Sequence, residues 1–271
     1  MRPGIVFRGR ARRKVPTMEG SIKFFGTGGA RFVALKQLRA TGGLWLNYGK
    51  TNLYIDPGPG AIVRIRSAKE DYDPSRLDGI VITHRHMDHA NDINILIEAM
   101  AHGGFKKRGT LFCPGDALSG DPVVFDFAGK YLDNTVVLRE GGEYTLGDIT
   151  FRTPVRHRHP VETYGLFFRL NTTIGLISDT RFFPELADHY RAEHLIINVL
   201  RQKPIENHEI VEHLALNDVR AIIEKVRPKT AILTHFGMHI INEGPWRAAR
   251  RLSRETGVNV IAARDGMKWE F

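Results

Sequence analysis

The chain has a single cysteine among 271 residues, Cys113, so it can form neither an intramolecular disulfide nor a cysteine-built zinc site. That shortage agrees with a reducing, cytoplasmic setting. Cys113 itself lies in the apolar run "TLFCP" and reads as a small core residue. Long hydrophobic runs are missing too. The longest, "LIINVL" at 195–200, has the length of a buried strand, far short of the roughly 20 residues that cross a bilayer, and no membrane partner is expected. Acids are missing from residues 1–17, which carry Arg2, Arg8, Arg10, Arg12, Arg13 and Lys14 out of a total net charge of +9. No sustained apolar stretch comes after those arginines, so the segment makes a poor secretory signal. It reads as a nucleic-acid-binding arm, as a disordered tail, or as sequence ahead of a start at Met18. Also lacking is the last glycine of a phosphate-cradling loop: in "FFGTGGARF" that place is taken by Arg31, with no clear helix after it. A glycine-rich turn without a ligand is expected there.

What is present is ordinary in bulk, with 42% hydrophobic and 25% charged residues. Short β-rich runs alternate with fewer helical stretches from Ser21 onward. "SIKFFG" and "GGLWLNYGKTNLYIDPG" read as strands, the latter a hairpin closed around Tyr48-Gly49-Lys50. "GIVIT", "GTLFC", "TYGLFFRL", "TIGLIS", "TAILT" and "VNVIAAR" read as further strands, as do parts of "NTVVLREGGEYTLGDITFRTPVR". Helical spacing appears in "ANDINILIEAMA", in "HEIVEHLALNDVRAIIEKVR" and in "EGPWRAARRLSRETG". There are no repeats. These elements predict one α/β domain over 18–271, preceded by the basic arm 1–17.

The informative pattern lies at the far ends of the apolar strands. "NLYI" runs into Asp56, "GIVIT" into His84, "FRTPVR" into His157, "TIGLIS" into Asp179 and "TAILT" into His235. In open α/β sheets the reactive groups gather beyond the carboxyl ends of the strands, so five such ends would bring these side chains to one rim. The densest stretch, "THRHMDHAND", places His84, His86, Asp88 and His89 within six positions. Imidazole nitrogens and carboxylate oxygens suit zinc and similar divalent ions at about 2.0–2.2 Å. His84 and His86 can face one ion from an extended turn, and Asp88 and His89 a second from the start of a helix. Asp179 is a natural carboxylate to stand between two ions. A bound metal lowers the pKa of its water to about 7, which provides hydroxide at neutral pH.

His84-x-His86-x-Asp88-His89 resembles the signature of the metallo-β-lactamase superfamily, and "TPVRH", "ISDT" and "LTHFG" come after it in that family's order. The resemblance spans nearly all of 21–271. It implies an α/β fold, the four-layer αβ/βα sandwich, with a dinuclear site between its sheets. It also implies that His84, His86 and His157 hold one metal, that Asp88, His89 and His235 hold the other, and that Asp179 bridges them. Asp56 would support the site by hydrogen bonding. "VRHRHP" offers both His157 and His159. Its proline lies three residues after His157, similar to the family's His-Ser-x-Pro, and this favours His157 as ligand, with His159 facing substrate or supporting.

Within the superfamily, which also hydrolyses lactams, thioesters and lactones, the region from "VEHLAL" to "LTHFG" looks like that of ribonuclease Z and of the cyclic phosphodiesterases of the carbon–phosphorus lyase pathway. The resemblance gives His213 the task of stabilising or protonating the leaving oxygen, with Asp88 as the other catalytic residue. Lys106, Lys107, Arg108, Arg156 and Arg158 lie in loops that could rim an anion-attracting cleft. The long tRNA-gripping arm of ribonuclease Z has no counterpart. The expectation is a phosphodiesterase with two divalent ions, zinc first and manganese or iron as alternatives. It acts on an anionic small molecule or a nucleic-acid end, and a homodimer is admissible. The competing readings are a lactone or thioester hydrolase and a nucleic-acid-binding module with a structural metal.

Overall fold

The computed structural model describes residues 18–203 and 212–271. The basic segment 1–17 therefore lies outside the described residues, as does the first part of the helix expected to begin near His208.

Two seven-stranded sheets pack face to face. The first contains β1 (Gly20–Phe24), β2 (Leu44–Tyr48), β3 (Thr51–Ile55), β4 (Gly79–Val81), β5 (Thr110–Cys113), β6 (Asn134–Val137) and β14 (Lys268–Glu270), in the order β14-β1-β2-β3-β4-β5-β6. The second contains β7 (Gly142–Leu146), β8 (Ile149–Thr153), β9 (Leu166–Arg169), β10 (Thr173–Ile177), β11 (His194–Asn198), β12 (Thr230–Thr234) and β13 (Asn259–Ala262), in the order β13-β12-β11-β10-β9-β8-β7. The β2–β3 hairpin forms where the sequence predicts it, pairing Tyr48 with Thr51 across Gly49 and Lys50.

The period-2 alternation of the strands creates the layers. Along β2 and β3, Leu44, Leu46, Leu53 and Ile55 point into the core between the sheets, where they meet Phe151, Phe168, Leu176 and Ile232. Trp45 and Tyr54 point the other way, against α2 (Ala61–Arg66) and α4 (Ile93–Met100), through Ile65, Ile93 and Leu96. On the far face, Leu195, Ile197 and Leu233 meet α7 (Leu216–Val226) and α9 (Pro245–Thr256) through Val219, Ile222 and Leu252. Helix, sheet, sheet, helix is the four-layer sandwich that the sequence resemblance implies. Among the described residues no helix is long and apolar enough to cross a membrane.

The parallel parts of the sheets decide where the chemistry can sit. β3, β4, β5 and β6 run parallel, as do β10, β11, β12 and β13, so the residues after β3, β4, β10 and β12 emerge at carboxyl ends. Lys106, Lys107 and Arg108 precede β5 and so stand at the amino end of that parallel set, away from the rim expected for them; Arg108 instead holds Asp78 and the Ser75 carbonyl.

Two further expectations change. The glycine-rich stretch leads directly into a helix, α1 (Ala30–Lys36), whose first residue, Ala30, adopts φ +61°. Sequence spacing missed it because the helix is short and its Phe32 and Leu35 are exposed rather than buried. His213 lies outside α7: residues 212–214 are not helical, and an isolated bridge between Arg201 and Ala215 holds the chain extended ahead of the helix.

Candidate metal centre

His84 leaves the buried end of β4, and His86 caps the short helix α3 (Met87–Ala90), which carries Asp88 and His89. Asp179 comes after β10 and Ser178, and His235 after β12. The side chains converge as four overlapping groups, each with ligand atoms mutually within 4.8 Å. One is His84, His86 and His159; another is Asp88, His89 and His235; Asp179 joins His84 and His89 in a third, and His159 and His213 in a fourth.

Six of the seven residues expected as ligands are thus brought together: His84, His86, Asp88, His89, Asp179 and His235. His157, also expected as a ligand, stands outside these groups. Its Nε2 is taken by the Tyr190 hydroxyl at 2.8 Å and its Nδ1 by the Asp179 backbone carbonyl at 3.2 Å, so both nitrogens are occupied structurally. His159 stands inside those groups, its Nε2 3.0 Å from His86 Nδ1 and its Nδ1 3.0 Å from the Glu212 carbonyl. A proline spacing could not distinguish them because the two imidazoles differ by two positions and share one strand parity. Only the buried tyrosine, whose signal in the sequence is no more than an aromatic in "DHY", claims the first.

Backbone strain marks the same place. Of the six non-glycine residues at positive φ among the described residues, three belong to the centre: Ala30, Asp56 and His235. Strain of this kind, typically about 1–3 kcal/mol per residue, persists where the surroundings over-determine the geometry. Here the gains are specific. Ala30 aims its N–H at Asp88 Oδ2, at 2.8 Å. Asp56 accepts from the Thr83 N–H at 2.6 Å and the Thr83 hydroxyl at 2.8 Å, and contacts His89 Nδ1 at 3.0 Å. That is the supporting role expected of Asp56. Asn198, at the end of β11, donates to Asp179 Oδ1 at 2.9 Å. Thr83, Ser178, Asn198 and Ala30 were missed in the sequence, although Thr83 and Ser178 stand beside His84 and Asp179 at the ends of apolar runs.

Electrostatics decide what the pocket can hold. Burial pushes His84 well below the ordinary imidazole value, lowers His86, and takes His159 down to about 4, so these rings are neutral with lone pairs free. Burial opposes ionisation of Asp88 and Asp179, yet neighbouring imidazoles overcome it: His89 and His235 around Asp88, and His235, His213 and His89 around Asp179, hold both well below the usual carboxylate range. For His89 burial again works against charge, but Asp179, Asp88 and Asp56 carry it well above its usual value. The pocket therefore sets buried carboxylates beside neutral imidazoles.

The donor set fits a pair of divalent cations. Nitrogens face nitrogens at 3.0 Å in both His89–His235 and His86–His159, and in the second of these contacts two neutral rings supply one proton at most. His84 Nε2 is buried with no hydrogen-bond partner, a costly state unless a cation takes the lone pair. The residues that would hold the ions are His84, His86 and His159 for one, Asp88, His89 and His235 for the other, with Asp179 between. No cysteine is near enough to soften the set, since Cys113 is buried in the outer core.

Comparison with known proteins agrees with this geometry. Residues 51–236 match a beta-lactamase superfamily domain. An uncharacterized protein of Methanocaldococcus jannaschii, MJ1374, is 35% identical over 265 residues, covering 94% of this chain and 96% of that protein. Among solved structures, the metallo-beta-lactamase fold protein YhfI from Bacillus subtilis superposes with TM-score 0.75 at 17% identity, over 94% of this chain and 100% of its own. A diphosphatase of the PhnP family gives 0.66 at 20% identity, over 94% and 98%. The short form of human tRNase Z gives 0.66 at 15%, over 92% and 98%.

Proposed function

This chain belongs to the metallo-β-lactamase superfamily, and from that premise we infer that it is a metal-dependent hydrolase of phosphodiesters, acting on a nucleotide or a nucleic-acid end. The ions are divalent, with zinc favoured by the nitrogen-rich donor set. When bound, they supply a hydroxide at neutral pH and neutralise charge on the substrate oxygens.

The chain's own residues do the rest. Asp179, Asp88 and the neutral imidazoles fix where the reacting phosphorus can sit. Asp56, Thr83 and Asn198 keep those side chains from turning away. His213 is the observation that carries the phosphodiester reading. Its Nε2 lies 3.1 Å from Asp179 Oδ2, and its ring stacks on His235 with centroids 5.9 Å apart. Nδ1 of the same ring is buried and has no partner, and the ring lines a cavity beside the metal centre. An imidazole anchored at one nitrogen can hold a proton there and exchange it at the other, which an alkoxide leaving group needs and a strained lactam needs less. The diphosphatase and tRNase Z activities of two structural relatives point in the same chemical direction.

The test is cleavage of bis(4-nitrophenyl) phosphate by protein loaded with zinc, manganese or iron(II), against a panel of lactones and thioesters. His86→Ala should abolish cleavage, and His213→Ala should reduce kcat by about 10²–10⁴ while leaving metal content intact. Faster turnover of the carboxylic substrates would transfer the protein to that branch, and salt-sensitive RNA binding without any hydrolysis would make it a binding module.

A further inference from the structure

A cavity of about 650 Å³ opens beside the metal centre. Its lining combines the polar His86, Asp88, Asp179 and His213 with the apolar Ala34, Leu35, Pro59 and Met87. A phosphate group fills a small part of such a volume, which lies within the roughly 300–1,000 Å³ of cavities that enclose whole organic ligands.

The apolar lining is not there for packing. Leu35 is 77% exposed and Met87 is 72% exposed. Met87 sits between His86 and Asp88 in the chain, so its backbone is held beside the candidate centre, while α3 buries His89 and Ala90 instead. Leu35 comes from α1, which packs on α3, and Arg31 lies one turn before it on the same face, lining the same cavity. Arg31 is exposed and has no ion-pair partner among the described residues. Adjacent apolar side chains left in water beside a polar centre are characteristic of a ligand-covered surface. A free guanidinium beside them adds a group that both attracts an anion and stacks on a flat ring.

We propose that Leu35, Met87 and Arg31 form a subsite for the organic group esterified to phosphorus, so that the protein selects phosphodiesters carrying a flat apolar group of up to nucleoside size over diesters of short alkyl chains. The proposal rests on the phosphodiesterase reading and names its substrate class. Leu35 and Met87 cover the face of the ring, methionine adapting to its outline, and Arg31 holds the anionic head.

Phenylphosphonate and methylphosphonate share one anionic head and differ only in the organic group, so their binding to the metal-loaded protein isolates the subsite. Calorimetric titration should give at least tenfold tighter binding of phenylphosphonate. Leu35→Ser and Met87→Ser, prepared separately, should bring that ratio towards one without weakening methylphosphonate, with two ions per chain retained by elemental analysis. Arg31→Gln should weaken both ligands. Wild-type protein that cleaves bis(4-nitrophenyl) phosphate but binds the two phosphonates equally, or variants that keep the wild-type ratio, would overturn the subsite. Failure to cleave any phosphodiester would overturn the preceding reading instead, and the two results are separable because binding is measured without turnover.

Discussion

Gly29→Ala strains the metal centre through the addition of one methyl group. Gly29 has φ −134° and ψ 156°, extended backbone that alanine adopts freely, so the effect comes from contact alone. A Cβ there would stand 2.1 Å from His235 Nδ1 and 2.4 Å from both Cε1 and Cγ of the same ring. Relief to ordinary contact at about 3.5 Å requires the imidazole, or the loop, to move by over 1 Å. The ring has little room: it is 6% exposed, its Nε2 faces His89 at 3.0 Å, and His213 stacks on it. The loop is no freer, because Gly29 N donates to the Phe236 carbonyl at 3.2 Å and Phe236 N to the Thr27 carbonyl at 2.8 Å.

Overpacking of this kind costs about 1–3 kcal/mol of stability. A displacement of about 1 Å at a reacting centre costs on the order of 10² in rate. The expected outcome is a folded protein with a lower Tm that retains the ion held by His84, His86 and His159 and loses the one held by Asp88, His89 and His235. Elemental analysis per chain should fall from two ions towards one, with kcat/KM for bis(4-nitrophenyl) phosphate reduced about 100-fold. Unchanged metal content together with an unchanged Tm would refute the reasoning, since His235 would then be free to move and its position would not be fixed by Gly29.

The remaining predictions concern the supports and the two competing histidines. His159→Ala should lower metal content, whereas His157→Gln, acting on a ring bound to Tyr190 rather than to the cluster, should lower the Tm and leave two ions in place. Equal metal loss in both, measured by elemental analysis, would return His157 to the ligand set. Thr83→Val removes a fully buried hydroxyl that contacts Asp56 Oδ2 and Ser178 Oγ, each at 2.8 Å, and should destabilise by about 1–3 kcal/mol in chemical denaturation through the unpaired groups left behind. Burial, with Asp116 and Glu162 adding to it, pushes the Cys113 thiol up to about 12, so the reactive thiolate is scarce at pH 8 and grows only as pH rises towards that value. A disulfide exchange reagent should therefore leave the native protein unlabelled at pH 8 and label one thiol per chain in denaturant; rapid native labelling would contradict the burial.

Much of the fold was legible because burial on both faces of a strand leaves a short continuous apolar run, and "GIVIT", "TIGLIS" and "TAILT" each carry one. The centre was legible because such runs end in His or Asp at the carboxyl side. Three features were hidden for physical reasons. β14 is three residues long with alternating exposed positions, a pattern too short to register. α1 turns on one strained alanine, and its exposed face lacks helical amphipathicity. The loop 103–109 has the charge of an anion-binding rim, yet charge gives no information about which end of a parallel strand a loop occupies.

The choice between His157 and His159 has a different origin. Local spacing describes a turn, while the occupant of a metal site is decided by what else is within hydrogen-bonding distance of each ring. His157 is fully committed before any cation arrives: Tyr190, itself buried, closes one nitrogen, and the carbonyl of Asp179 closes the other. That arrangement ties the backbone of the carboxylate standing between the two groups of ligands to a ring that burial keeps neutral, with a pKa of about 4. The chain thus uses one imidazole of "HRH" to fix Asp179 and presents the next, two residues on, to the cluster that Asp179 joins. Two histidines that look redundant in the sequence stand in different surroundings, and His157→Gln and His159→Ala should differ in metal content for that reason.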